Sequence, residues 1–199
     1  KACCLLATPH QGRGIHSEAV KKGFLEEDPN LGNALVDMYA KCGLITASHD
    51  VFDKLRVRDL VSWNSLIGGY AHHGQSDKVF EIFHNMLAGD IKPGMITYIL
   101  VLNACSRNGL MRRSCTYFEG MSRNHGIVPA VEHFTCIIDI LGHGGQLCKA
   151  VATIKNSSFS ANLVPWIALL GACRKWGNVK LGKEAFEQVV ALDQRTLAS

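Results

Sequence analysis

The sequence lacks the marks of several common protein classes. Its eight cysteines include no C-x-x-C pair, so the spacing favours neither a disulfide framework nor a zinc site as a first choice. No apolar run is long enough to cross a bilayer. Strand-like alternation of apolar and polar residues is also missing, which argues against a sheet. Charged residues make up only 19% and aromatics 8%, against 47% hydrophobic, a balance that excludes a disordered chain. The formal net charge of +4 is a mild basic bias, compatible with a nucleic-acid partner but not sufficient to establish one. No secretory signal is present, and Cys3, Cys105 and Cys173 each follow an alanine. These cysteines are therefore expected to be small buried side chains at helix contacts, in a reducing compartment. The chain opens on Lys1 rather than Met, so it is expected to be a fragment whose targeting segment lies elsewhere.

What is present is a period. Gly43, Gly74, Gly109, Gly145 and Gly177 recur at intervals of 31, 35, 36 and 32 residues. Nine residues after each comes Phe52, Phe83, Phe118, Ile154 or Phe186, a largely aromatic series expected to be core, and eleven before it comes Gly32, Trp63, Tyr98, Phe134 or Trp166. Apolar pairs such as Leu35-Val36, Leu66-Ile67 and Ile137-Ile138 keep the same register. A period of this length is one supersecondary unit copied along the chain, which implies an extended surface rather than a central pocket.

Each unit splits at its glycine into two amphipathic halves. In residues 60–94, Trp63, Leu66, Ile67 and Tyr70 mark one helical face and the glycine ends that helix. Ser76 is expected to cap the second helix, whose apolar face carries Val79, Phe80, Phe83 and Met86. The same scheme divides the chain into a partial long unit at 1–28, then units at 29–59, 60–94, 95–130, 131–162 and 163–196, with a tail at 197–199. The expected fold is all-α, a right-handed superhelical solenoid of antiparallel helix-turn-helix repeats.

The strings GNALVDMYAKCG (32–43), DLVSWNSLIGGYAHHG (59–74), VLNACSRNGLM (101–111) and PWIALLGACRKWGNVKLG (165–182) resemble pentatricopeptide repeats. More narrowly, they resemble the plant organellar class that alternates short, standard and long repeats. Unit 163–196 is similar to the E-type motif that follows the last repeat in that class. The resemblance implies binding of single-stranded RNA, one base per repeat, read by two or three side chains. It further implies a specificity module for organellar cytidine-to-uridine editing, in a mitochondrion or chloroplast. A DYW-type deaminase or an editing accessory protein would be recruited through residues 163–196.

Carried over residue by residue, the base-reading positions stand ten before each glycine and at the end of each unit. They are Asn33 with Asp59, Asn64 with Gly94, and Thr135 with Asn162. By resemblance the first pair prefers uridine and the third adenosine, while Asn64 with Gly94 keeps a pyrimidine-like first residue without a second side chain. Ile99 with Ala130 offers no base-edge hydrogen bond. The clamp that wedges between bases, thirteen before the glycine, is matched by Val61 and Ile96, whereas Asn30 and Glu132 depart from the pattern. Asn and Thr at helix starts also serve as N-caps, and Asp59 has that rival role.

Three other strings invite chemistry and are set aside. Residues 177–183 approach a phosphate-binding loop, but Glu184 stands where Ser or Thr would hold magnesium, and no strand precedes it. His16-Ser17-Glu18 is half of a zinc deaminase signature without its cysteine half. Cys136, His143 and Cys148 lack the spacing of a tetrahedral site. No catalytic residue, metal site, cofactor or membrane partner is therefore expected. Two other functions remain open: a protein-binding helical scaffold, and the non-catalytic part of a longer enzyme that carries its own deaminase.

Overall fold

The computed structural model describes residues 9–21, 23 and 28–197, and every regular element among them is helical. Helix α1 (Pro9–Lys21) precedes five successive pairs: α2 (Pro29–Lys41) and α3 (Ile45–Lys54), α4 (Leu60–His72) and α5 (Ser76–Ala88), α6 (Met95–Arg107) and α7 (Met111–His125), α8 (Val131–His143) and α9 (Leu147–Lys155), α10 (Leu163–Lys175) and α11 (Val179–Leu197). Parts of the expected partial repeat at 1–28 and of the tail at 197–199 lie outside the described residues.

The five periodic glycines make the five turns. Gly43 sits at φ +80°, a left-handed backbone that residues with a Cβ rarely adopt. Its amide donates to Ala40 O at 3.2 Å, and Leu44 N reaches back to Tyr39 O at 2.9 Å. This pair of bonds is the Schellman motif, which satisfies carbonyls the helix leaves open. It recurs at each later turn, with Gln75 N on Tyr70 O, Leu110 N on Cys105 O, Gln146 N on Leu141 O and Asn178 N on Cys173 O. The second helix starts almost at once, so the residue after the glycine occupies its N-cap place. Gln75 holds that place in the second pair, and Ser76, expected as the cap, is instead the first helical residue.

First helices open differently, on caps with extended backbone. Asp28, Asp59 and Asn162 each accept from a backbone amide of the helix they precede. Pro29 occupies the first position of α2, where its missing N–H would have no helical partner. Before α6, Gly94 O accepts from Tyr98 N at 3.2 Å, while Gly94 N donates to Thr97 Oγ1 at 3.0 Å.

The chain divides into two compact units, Lys1–Val101 and Leu102–Ser199. In the first, α2 packs on both α3 and α4. Its core includes Val36, Phe52, Leu66, Ile67, Phe83 and Met86. Phe52 meets Trp63 edge-on at 4.7 Å between ring centroids, an arrangement favourable to aromatic quadrupoles. Polar ties join successive pairs: His16 Nδ1 lies 3.0 Å from the Tyr39 hydroxyl, and His49 Nδ1 lies 2.8 Å from that of Tyr70. His16, half of the deaminase-like string, is thus engaged in a helix contact that His49 repeats.

In the second unit, α8 packs on α9 and α10, and α10 on α11. Ile138, Ile154, Trp166 and Leu169 centre its core. The aromatic series nine residues after each glycine divides here. Phe52, Phe83 and Ile154 are buried, Phe118 is half-buried against Phe134 at 5.1 Å, and Phe186 is 56% exposed, against the expectation that all are core. Cys105 and Cys173 are buried as expected and Cys3 lies outside the described residues, whereas Cys115 and Cys148 are exposed.

Close approach of first helices rests on one small pair in each unit. A Cβ built on Gly69 would stand 2.6 Å from Ala40 Cβ, and one on Gly142 would stand 2.6 Å from Ala172 Cβ. Ala40 and Gly142 each lie three residues before their turn glycine, and Gly69 and Ala172 each lie five before theirs. The two junctions are therefore the same contact with glycine and alanine exchanged. Trp176 Nε1 donates to Gly142 O at 2.7 Å beside the second of them.

Candidate nucleic-acid interface

In Lys1–Val101 the N-terminal turns of α4 and α6 border a cleft of about 420 Å³. Its walls include Asp37 and Lys41 from α2, Val61, Asn64 and Gly68 from α4, and Ile96 and Leu100 from α6. The two expected clamps, Val61 and Ile96, are the second residues of α4 and α6 and stand 56% and 62% exposed. An apolar side chain held in solvent at a cleft gains nothing for the fold, so both are available for contact with a flat ring. Lys41 is tied to Asp37, one turn earlier on the same helix, at 2.6 Å.

Asn33 and Asp59 meet although 26 residues separate them: Asn33 Nδ2 donates to both carboxylate oxygens of Asp59 at 3.1 Å. Asp59 also accepts from Ser62 N at 2.8 Å, so it caps α4 and holds Asn33 at once. The rival role and the pairing coexist in one carboxylate. Asn33 is 6% exposed, and its Oδ1 is buried without a hydrogen-bond partner.

Asn64 and Gly94 are joined through a third residue. Thr97, fully buried, accepts from Gly94 N and donates its hydroxyl to Asn64 Oδ1 at 2.7 Å. Sequence reasoning missed Thr97. A signal was present, because Ser62 stands at the same third position of its helix and turns its hydroxyl to Asp59 O.

Thr135 and Asn162 are not brought together by a bond. The Thr135 hydroxyl donates to Val131 O at 2.8 Å, and the Asn162 side chain accepts from Val164 N at 2.9 Å. Each serves its own helix. Val164, in the clamp register of α10, is 48% exposed and was not singled out from the sequence.

Cys136, His143 and Cys148 occupy different environments. Cys136 is buried, its thiol pushed up to about 12 by burial, and it donates to Asn103 Oδ1 at 3.1 Å. His143 Nδ1 pairs with Asp139 O at 2.8 Å, and Cys148 is exposed on α9.

Paired helices closed by Schellman turns define a helical repeat protein. The repeat is a specific one. Models of the PPR repeat match residues 33–60 and 96–125, and a PPR repeat family model matches residues 58–107. This chain is a pentatricopeptide repeat protein, similar to those of plants. The chloroplastic Arabidopsis thaliana pentatricopeptide repeat-containing protein CRR2 is 39% identical over 195 residues, covering 98% of this chain and 30% of the relative. Other Arabidopsis relatives of similar identity are named as mitochondrial or chloroplastic. The chain spans less than a third of the length of these relatives. Among solved structures, maize PPR10 matches with a TM-score of 0.65 at 20% identity, over 80% of this chain and 24% of that one. The PPR domain of Arabidopsis thaliana protein-only RNase P 1, in complex with tRNA, matches with a TM-score of 0.60 at 16% identity, over 79% of this chain and 86% of that one. These likenesses concern the fold.

Proposed function

We propose that this chain is the sequence-specific RNA-binding segment of a plant organellar cytidine-to-uridine editing factor. It belongs, in this reading, to the class that alternates short, standard and long repeats, with units at 29–59, 60–94, 95–130 and 131–162 and an E-type motif at 163–196. The observation that carries the proposal is the cleft in which exposed Val61 and Ile96 flank Asn64. Apolar clamps on either side of an amide suit a base inserted between them, stacked on its faces and hydrogen-bonded at its edge. The Asn33–Asp59 contact supports it, because a reader held by its partner loses little freedom on binding. A solved neighbour of the same fold is itself bound to tRNA.

Base-reading falls to Asn33 with Asp59, Asn64 with Gly94, and Thr135 with Asn162, and stacking to Val61 and Ile96. The partner is single-stranded RNA of a mitochondrion or chloroplast. Residues 163–196, which expose Ile167, Trp176, Val179 and Phe186, would receive a DYW-type deaminase or an editing accessory protein. No catalytic step is assigned to a residue of this chain.

The test is fluorescence anisotropy with a pool of short single-stranded RNAs at rising salt. Phosphate neutralisation makes the affinity fall linearly on logarithmic axes, by about 0.7 per contacted phosphate for single strands. Binding should weaken with salt, and Val61→Asp with Ile96→Asp should weaken it further. RNA binding that is absent at low salt, or indifferent to both substitutions, rejects the proposal.

A further inference from the structure

Two asparagines at the same register are held in opposite senses. Asn33 spends its NH2 group on the Asp59 carboxylate, so the group it leaves unpaired is an acceptor, Oδ1. Asn64 has its Oδ1 occupied by the Thr97 hydroxyl. Among the described residues its Nδ2 has no protein partner, and Asn64 lines the cleft.

The sense at Asn64 follows from hydroxyl chemistry. Thr97 Oγ1 accepts from Gly94 N, which uses one lone pair and leaves its single hydrogen to donate. Only the carbonyl side of the Asn64 amide can receive that hydrogen. The reversed amide would set an NH2 against the hydroxyl and force its hydrogen away from Asn64, towards a carbonyl of its own helix start as at Ser62, so the Thr97–Asn64 bond as it stands would be lost. Gly94 has no side chain to do what Asp59 does for Asn33. Thr97 occupies that role from the next helix.

We infer that Thr97 is a specificity-determining positioning residue: it holds Asn64 as a donor, so that the segment 60–94 selects a base whose pairing edge carries an unprotonated ring nitrogen. Cytosine N3 and adenine N1 accept from an amide NH2. Uracil N3 and guanine N1 carry a hydrogen that opposes it. The Asn33–Asp59 pair, in which the amide NH2 is spent and the groups left over are acceptors, favours the second class. This inference rests on the proposed RNA reading.

The experiment is selection of bound sequences from a randomised single-stranded RNA pool by the full chain and its variants. Asn64→Ala identifies the nucleotide concerned, as the one position whose preference it erases. Wild type should favour cytidine and adenosine there by roughly two- to tenfold, the worth of one hydrogen bond. Thr97→Val removes the hydroxyl at nearly constant volume and should level the four bases at that nucleotide alone, while Thr97→Ser keeps the wild-type ranking. Asn64→Asp, which retains the Thr97 bond but turns an acceptor to the cleft, should invert the ranking. It decides the matter if circular dichroism shows that Thr97→Val does not fold. A wild-type preference that Thr97→Val leaves unchanged, or that Asn64→Asp does not invert, overturns the inference and leaves RNA reading intact. Absence of base preference at every nucleotide in wild type removes the RNA reading itself, and the inference with it.

Discussion

Exchanging the small residues at a helix junction tests whether first helices approach as closely as the structure requires. At Gly69 an added methyl would lie 2.6 Å from Ala40 Cβ and 2.9 Å from Ile45 Cδ1. The isoleucine terminus can turn aside, but the alanine Cβ moves only with its helix. Overpacking of this kind costs about 1–3 kcal/mol, while replacing glycine by alanine inside a helix returns about 1 kcal/mol. Gly69→Ala should therefore destabilise by about 0–2 kcal/mol. Ala40→Gly loses about 1 kcal/mol of propensity and about 0.8 kcal/mol for the buried methyl. The double variant reproduces the arrangement found at Gly142 and Ala172, with the methyl moved across the contact and the propensities cancelled. It should lie within about 0.5 kcal/mol of wild type. Urea unfolding of the full chain, followed by circular dichroism, reads this as a restored midpoint at unchanged slope. If the loss in the double variant equals the sum of the two single losses, the residues do not meet, and the argument for an exchanged contact fails.

Other substitutions probe separate parts of the molecule. Asn162→Asp keeps the cap on α10, so stability should hold, while preference at the nucleotide facing 131–162 moves from adenosine towards guanosine by about 1–3 kcal/mol; identical base rankings for both proteins would make Thr135 and Asn162 helix-end residues only. A maleimide at neutral pH should label Cys115 and Cys148 well before Cys105 and Cys136, whose thiols burial pushes up to about 12, as counted by peptide mass spectrometry. Asp139 has its carboxyl raised by burial, an effect His143 partly opposes. A raised folded-state value means that stability falls as pH climbs through it, so Asp139→Asn should raise the melting temperature at neutral pH. That gain should vanish as pH drops into the ordinary carboxylate range, and a gain that persists there would refute the assignment.

The turns were legible because their chemistry is local. A left-handed residue that closes two backbone bonds is glycine wherever it occurs, so five glycines in register disclosed five reversals. The buried aromatics followed from the same register up to Phe186, which fails because a second-helix residue is core only where neighbouring helices cover it. Ser76 was misplaced by one position, since the Schellman turn leaves a single residue before α5 and Gln75 fills it. At the site, the identities of Asn33, Asp59 and Asn64 could be read from spacing, and the direction of their amides could not. That direction depends on Asp59 for one asparagine and on Thr97 for the other, partners 26 and 33 residues away. Helical periodicity says nothing about which end of an amide is already taken.

Asp59 and Asn162 each cap a first helix and, in the proposed division, end the unit before it. Under the proposed readout, these positions answer to two selections at once. The side chains that cap a helix well are a short vocabulary: Asp, Asn, Ser, Thr and Gly. A protein retargeted to a new transcript can draw its unit-ending letters only from that vocabulary without loosening the array, since an alanine there forfeits about 0.5–2 kcal/mol. Ala130, which follows a first-helix isoleucine and precedes a helix with no side-chain cap, marks a unit that has left the vocabulary and contributes spacing instead of spelling.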